Sequence, residues 1–220
     1  QIMAWMRNEY EKLTGTTAPG MITGKPLEYG GSKVRDIATA LGGVYVLDEA
    51  VKKVGLNHKT VAIQGFGNAG SNMARLLSTA GYTIVAVSDS QGGIFSAQGL
   101  DIESVISTKE KTGTVVEVAG VTKISNDQLL ELDVAILIPS ALAGVITAKN
   151  AGKIQAKIIL ELANGPTTHD AEVLLLARDV LVIPDILANA GGVTVSYFEW
   201  EQNRTNTSWA EEEIKQKLKT

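Results

Sequence analysis

The 220 residues carry a formal charge of −4, with 45% hydrophobic and 20% charged residues and no cysteine. That balance is ordinary for a folded globular chain, excludes a disordered one, and gives no general pull toward nucleic acid or an anionic membrane. The lack of cysteine removes disulfides, thiolate metal sites and cysteine nucleophiles, which makes a reducing cytoplasm the simplest setting; no apolar run is long enough to span a bilayer.

In chain order, the apolar spacing from Gln1 predicts an amphipathic helix over about Ile2 to Leu13. A loop rich in Gly, Pro and Thr leads through Tyr29-Gly30-Gly31 to a long helix from about Lys33 to Val54. Val34, Ile37, Leu41, Val44 and Leu47 recur there at helical spacing, and Gly55 sits where a C-terminal cap belongs. Short apolar strands then alternate with helices. Strands are predicted at Thr60–Gln64, Tyr82–Val87, Val134–Ile138, Lys157–Leu160 and Val180–Ile183. The helices between and after them are Ala69–Ala80, Leu100–Lys109, Asn126–Leu132, Asp170–Arg178 and a last one from Gly192 into the Trp200 region. Val115–Val118 is assigned to neither class. Ala210–Lys219 reads as a helix still running, and both ends look like boundaries within a longer polypeptide.

Nearly all-apolar strands separated by helices imply a parallel sheet covered on both faces. The expectation is an α/β fold: a doubly wound, mainly parallel, Rossmann-type sheet with an N-terminal helical extension. Residues 1–55 form the helical lead-in, 56–200 the dinucleotide-binding domain and 201–220 a final helix, all within one structural domain.

The chemistry-bearing string is Gly65-Phe66-Gly67-Asn68-Ala69-Gly70, with GxGxxG spacing between a predicted strand and a predicted helix. Gly65 permits the tight turn, Gly67 lets the backbone approach a pyrophosphate, and Gly70 lets the helix pack on the strand. The helix start supplies N–H groups and a favourable dipole for the anion. Asp89, followed by Ser90, lies at the end of the second strand and 19 positions after Gly70, near the spacing of a carboxylate that holds the adenosine ribose. A carboxylate repels a 2′-phosphate, and Ser90, Gln91, Gly92 and Gly93 offer no cation to receive one. NAD is therefore favoured, with NADP left open. The bland alternative is a glycine-rich helix start and a solvated turn aspartate.

Longer strings go further. Thr23-Gly24-Lys25-Pro26, Gly30-Gly31-Ser32, Arg35, Ala38-Thr39 and Gly42-Gly43 are followed later by Ala163-Asn164-Gly165-Pro166-Thr167-Thr168. The longest runs from Pro184-Asp185-Ile186-Leu187-Ala188-Asn189-Ala190-Gly191-Gly192-Val193 through Thr194-Val195-Ser196-Tyr197-Phe198-Glu199-Trp200. Together they resemble the glutamate dehydrogenases, within the glutamate/leucine/phenylalanine/valine dehydrogenase family, over nearly the whole chain and closest to the hexameric enzymes of archaea and thermophilic bacteria. The resemblance implies that Gly65, Gly67, Asn68 and Ala69 cradle the pyrophosphate and Asp89 the ribose. It implies Thr39 and Asn189 at the nicotinamide carboxamide with Asn164 nearby, and Ser140 close to the cofactor through its backbone. Ser196 would donate to the side-chain carboxylate of glutamate, Val193 would line that pocket, and Arg35 would sit at its mouth. Taken singly, Asn164 and Asn189 also fit local Asx or left-handed turns. Lys33-Val34 departs from the commoner small or glycine-containing pair before Arg35.

The family implies oxidative deamination of glutamate to 2-oxoglutarate and ammonia, in a homo-hexamer. Its substrate-activating Lys-Gly-Gly string does not occur in the sequence, so the expectation is a chain that binds dinucleotide without turnover and is monomeric alone. No metal is expected. His58 and His169 read as solvated, as do Lys109, Lys111, Lys215, Lys217 and Lys219 on helix faces. The alternatives are the cofactor domain of a branched-chain or aromatic amino-acid dehydrogenase, and a non-catalytic NAD-binding module.

Overall fold

Two-sided burial decides the architecture. In the computed structural model, which describes residues 1–220, the central strands are β1 (Thr60–Gln64), β2 (Thr83–Asp89), β5 (Ile136–Pro139), β6 (Ile158–Leu160) and β7 (Leu181–Ile183). Their side chains alternate between two apolar cores. Val61, Ile63, Ile136, Ile138, Ile158 and Leu160 face one core, and Ala62, Leu137 and Ile159 face the other. A strand buried on both sides has no polar face to show, which is why these segments read as uninterrupted apolar runs.

The first core is covered by α2 (Ala38–Val54), α3 (Asn68–Thr79) and α4 (Ile102–Thr112), through Val44, Leu47, Met73, Leu77 and Val105. The second is covered by α5 (Asn126–Leu130) and α6 (His169–Leu176), through Leu129, Leu130, Ala171 and Leu175. The sheet order is β4-β3-β2-β1-β5-β6-β7, and every pairing from β2 to β7 is parallel. The chain moves outward from β1 to β2 and later returns to the other side of β1 with β5. The switch in winding therefore falls between β1 and β5, and the crevice beyond their carboxyl ends is the place where such sheets bind ligands.

The mainly parallel, doubly wound sheet matches the expectation, with two antiparallel additions. Asp89 turns through Ser90 and Gln91 into β3 (Gly92–Phe95), and β4 (Thr122–Ile124) forms the sheet edge. Both are too short to show a period, and β3 begins with two glycines. The segment around Val115 is a single 3-10 turn. No helix is long and apolar enough to cross a membrane.

The remaining helices are α1 (Ile2–Thr14), α7 (Asp185–Ala188), α8 (Gly191–Thr205) and α9 (Glu211–Lys219). The loop after α1 is fastened to α8 by a fully buried ion pair, with Lys25 Nζ 2.7 Å from Glu199 Oε1. Glu199 also accepts the N–H groups of Gly24 (2.8 Å) and Lys25 (3.3 Å), and the Lys25 ammonium donates to the Ile22 carbonyl. Removing one member of such a pair strands the other charge. Lys25→Ala is expected to lower the unfolding free energy in urea by about 3–5 kcal/mol. A Lys25→Met/Glu199→Gln double variant, which removes both charges and keeps an acceptor for those N–H groups, should recover part of that loss, and a single variant as stable as wild type would contradict this account.

Candidate functional site

The turn from β1 into α3 leaves no freedom in its backbone. Gly65 has φ +95, a left-handed value open to glycine, and a Cβ there would stand 2.7 Å from the Ala141 methyl. A Cβ on Gly70 would fall 1.9 Å from the Gly65 carbonyl oxygen, so the first turn of α3 rests directly on the end of β1. Gly67 differs from both, because a Cβ there meets nothing within 4 Å and would project into open space. Ser140, just past β5, locks the turn: its N–H donates to the Gln64 carbonyl at 2.7 Å, and its hydroxyl reaches the carbonyls of Gln64 (2.9 Å) and Gly65 (2.8 Å).

No side chain caps α3. Its first hydrogen bond runs from the Ser71 N–H to the Gly67 carbonyl at 2.9 Å. The earlier N–H groups at Asn68, Ala69 and Gly70 are the unpaired donors every helix start carries, here with the positive end of the helix dipole behind them. They open beside a cavity of about 450 Å³ that is also lined by Phe66, Asp89, Ser90, Lys109 and Asn126. Gln64 lines the same cavity, and its buried Oε1 has no hydrogen-bond partner.

A second cavity, of about 520 Å³, continues the crevice and shares Ala141 with the first. It gathers Arg35, Thr39, Asn164, Asn189, Val193 and Ser196 from three separate stretches of chain. Arg35 Nε donates to Ser196 Oγ at 3.0 Å, and the Ser196 hydroxyl donates to the Gly192 carbonyl one turn earlier at 3.0 Å. Asn189 Nδ2 donates to Asn164 Oδ1 at 2.7 Å. That leaves the Asn164 amide N–H groups and the Asn189 carbonyl oxygen available, a donor and an acceptor side by side. Val193 is 70% exposed at the rim.

The family model for glutamate/leucine/phenylalanine/valine dehydrogenases matches residues 30–220. The chain belongs to that family. It is 50% identical over 222 residues to the catabolic NAD-specific glutamate dehydrogenase RocG of Bacillus subtilis, covering 100% of this chain and 52% of the relative. It is 48% identical over 221 residues to the NAD-specific glutamate dehydrogenase of Staphylococcus aureus (strain COL), covering 100% of this chain and 53% of that one. Among solved structures, the Leu-bound hetero-hexameric glutamate dehydrogenase of Thermus thermophilus superposes with a TM-score of 0.93 at 34% identity, over 100% of this chain and 52% of that one. The glutamate dehydrogenase of Peptoniphilus asaccharolyticus gives 0.83, also at 34%, with the same coverage. The chain spans about half the length of the curated relatives it matches.

Within this family member the residues singled out from sequence fall into two groups. Gly65, Phe66, Gly67, Asp89, Ser90 and Ser140 border the first cavity, with Asn68, Ala69 and Gly70 forming the adjoining helix start. Arg35, Thr39, Asn164, Asn189, Val193 and Ser196 border the second. The entry to α2 differs from expectation: the helix begins at Ala38 rather than Lys33, because Val34 adopts φ +57. A β-branched residue in that region is strained. Val34 is held there by burial against Ala38, Val195 and Ile214, and the bend sets Arg35 beside Ser196.

Lys109 corrects the sequence reading. It is no solvated helix-face residue: its side chain is 26% exposed, and Nζ lies 3.5 Å from Asp89 Oδ2. Thr114 and Asn126 were also missed. The Thr114 hydroxyl donates to Asp89 Oδ1 at 3.1 Å, and Asn126 Nδ2 donates to the Asp89 carbonyl at 3.0 Å. No spacing rule joins these three positions to Asp89. Only the amphipathic pattern of the helix carrying Lys109 hinted that one of its faces turns inward.

Burial pushes the Asp89 carboxyl upward, but the N–H groups of Gln91 and Val115, the Thr114 hydroxyl and the Lys109 ammonium outweigh it and hold the group below the ordinary range. A depressed carboxyl stabilises the fold in its ionised form. That contribution is complete above the unfolded-state value of about 3.9 and is lost as pH falls through the lower folded-state value. Asp89→Asn should therefore melt below wild type at about pH 7, with the gap closing toward about pH 3. A constant gap across that range in thermal unfolding would show that ionised Asp89 carries none of the stability.

Proposed function

We propose that this chain is the NAD(H)-holding part of a cytoplasmic glutamate dehydrogenase, which oxidatively deaminates L-glutamate to 2-oxoglutarate and ammonia. The observation that carries the reading is the continuous crevice: an uncapped helix start beside a Gly67 with open space where a side chain would be, a carboxylate at one end, and a paired-amide pocket at the other. The names of the relatives, NAD-specific glutamate dehydrogenases, support the same cofactor and substrate.

The arrangement fits the parts of a dinucleotide in order. Backbone N–H groups at Asn68 and Ala69, with the helix dipole, suit a pyrophosphate. Asp89 supplies an acceptor for a ribose hydroxyl. The free N–H groups of Asn164 and the free carbonyl of Asn189 complement a carboxamide, which itself offers one acceptor and one donor pair. Thr39, beside Gly192, closes that end. When bound, the nicotinamide ring supplies the hydride-accepting chemistry. Arg35 and Ser196 then present a guanidinium and a hydroxyl to an anionic side chain of substrate. For Ser196 to donate to that carboxylate, its hydroxyl must turn away from the Gly192 carbonyl, while Arg35 continues to donate to its oxygen.

Calorimetric titration with NAD tests the cofactor role. Gly67→Ala is the sharpest variant, since φ at Gly67 is −79 and nothing lies within 4 Å of the added methyl. The exchange at the helix cap should cost about 1 kcal/mol of stability or less and still weaken NAD at least about tenfold, because the methyl occupies the phosphate position. Unchanged NAD affinity in that variant would remove the cradle from the argument. With glutamate and NAD together, the 220 residues are expected to form no NADH at enzyme-like rates, and steady NADH production would overturn the assignment of turnover to the longer enzyme.

Assembly follows the same division. We expect the chain alone to elute as a monomer on a sizing column, with a homo-hexamer as the state of the longer enzyme. A stable hexamer of these 220 residues would reverse that.

A further inference from the structure

The ribose end of the crevice holds a cation that a carboxylate-only recognition scheme has no use for. Lys109, in the last turn of α4, is the one basic residue lining the first cavity. Its ammonium lies 3.5 Å from Asp89 Oδ2 and 5.8 Å from the centre of the Phe66 ring. The 3.5 Å separation exceeds the roughly 2.7–2.9 Å of a tight charge-assisted hydrogen bond, so the amine is paired with Asp89 without being locked to it.

The acceptor count at Asp89 narrows what can happen there. Oδ1 already receives the Gln91 N–H at 2.9 Å and the Thr114 hydroxyl at 3.1 Å, and Oδ2 receives the Val115 N–H at 2.7 Å. An ionised carboxylate offers about four acceptor positions. The remaining one is on Oδ2, the oxygen that Lys109 approaches. A ribose hydroxyl that donates to Asp89 must therefore arrive beside the ammonium.

We propose that Lys109 is a specificity-determining residue of the dinucleotide site, poised to receive a 2′-phosphate and so to limit how strongly Asp89 rejects the phosphorylated cofactor. The assignment rests on the dinucleotide reading above. A lone carboxylate would repel a 2′-phosphate, which carries about −1.5 to −2 charges at neutral pH. Here the arriving group meets a carboxylate and an ammonium whose charges nearly cancel. The lysine stem is flexible and its ammonium is a compact triple donor, so it can leave Oδ2 for a phosphate oxygen without moving the backbone. With unphosphorylated ribose the same lysine stays near Asp89 and yields the open position on Oδ2 to the hydroxyl.

The test compares calorimetric dissociation constants for NAD and NADP across four variants. Lys109→Met keeps an apolar stem against Phe66 and removes the charge, and it should raise the NADP-to-NAD Kd ratio about tenfold, the size of one charge-assisted hydrogen bond. Asp89→Asn should lower that ratio, and the gain should vanish in Asp89→Asn/Lys109→Met. Lys109→Arg should keep the wild-type ratio to within about threefold, since the cation is retained. Should wild-type NADP binding be too weak to measure, the Asp89→Asn pair carries the comparison. A ratio within about twofold of its parent when Lys109 becomes Met, in either background, overturns the proposal while leaving NAD binding intact. Binding of neither dinucleotide by any variant overturns the parent reading and this one with it.

Discussion

The two helices that carry the second half of the crevice touch backbone to backbone. A Cβ added at Gly42 of α2 would stand 2.9 Å from the Gly191 Cα. One added at Gly191 of α8 would stand 2.1 Å from the Ala38 carbonyl oxygen, and one at Gly192 would stand 2.5 Å from Thr39 Oγ1. Because α2 is seated on the sheet through Val44 and Leu47, this contact fixes the start of α8 against the sheet as well. Arg35 and Thr39 come from one side of it, Asn189 and Ser196 from the other. A single methyl at the contact would drive apart residues that line one cavity. Glycine inside a helix costs roughly 0.5–1 kcal/mol relative to alanine, and the close approach is what that cost secures. The Gly70–Gly65 contact does the same for the glycine turn at the first cavity.

This dependence explains what was legible in the sequence. Features fixed by local geometry could be read directly: the apolar two-faced strands, the Gly55 cap with φ +70, and the glycine turn after β1. Asp89 could be placed because one strand-helix-strand unit separates it from Gly65, and the length of such a unit is nearly constant. Features fixed by tertiary phase could not. Whether Lys109 points to solvent or toward Asp89 depends on the rotation of α4 about its own axis relative to β2, which no spacing encodes. The start of α2 was misread for a related reason. Val34 satisfies a helical pattern of apolar residues, yet its burial against Val195 and Ile214 holds it in a left-handed conformation, so the helix starts only at Ala38. The β3 and β4 strands gain their place from pairing with β2 rather than from any preference of Gly92-Gly93 or Thr122-Lys123.

The crevice combines a rigid frame with a few adjustable groups, and the division follows the chemistry each must do. On the dinucleotide reading, phosphate and carboxamide need donors at fixed positions, and the crevice offers backbone N–H groups and an asparagine pair whose amides orient one another at 2.7 Å. The groups that meet variable or incoming charge are different. The Ser196 hydroxyl is turned back on the Gly192 carbonyl, Arg35 is engaged through a single nitrogen, and the Lys109 ammonium stands off Asp89 at 3.5 Å. Each has a partner that keeps it satisfied without a ligand and that a ligand can replace by a rotation about side-chain bonds.

Such replacement has an energetic consequence. A ligand that trades one existing hydrogen bond for another gains only the difference, typically about 0.5–1.5 kcal/mol for neutral groups and more where a charge is involved. Discrimination in this crevice therefore cannot come from the adjustable groups being empty-handed. It must come from a charge that stays in place when a ligand arrives. Asp89 is that charge: three internal donors hold both of its oxygens, so its negative charge stays in place whatever enters. On the proposed reading, that fixed anion, set against one mobile cation, makes the ribose end selective by electrostatics rather than by shape, and ties cofactor choice to two residues that lie 20 positions apart in the chain.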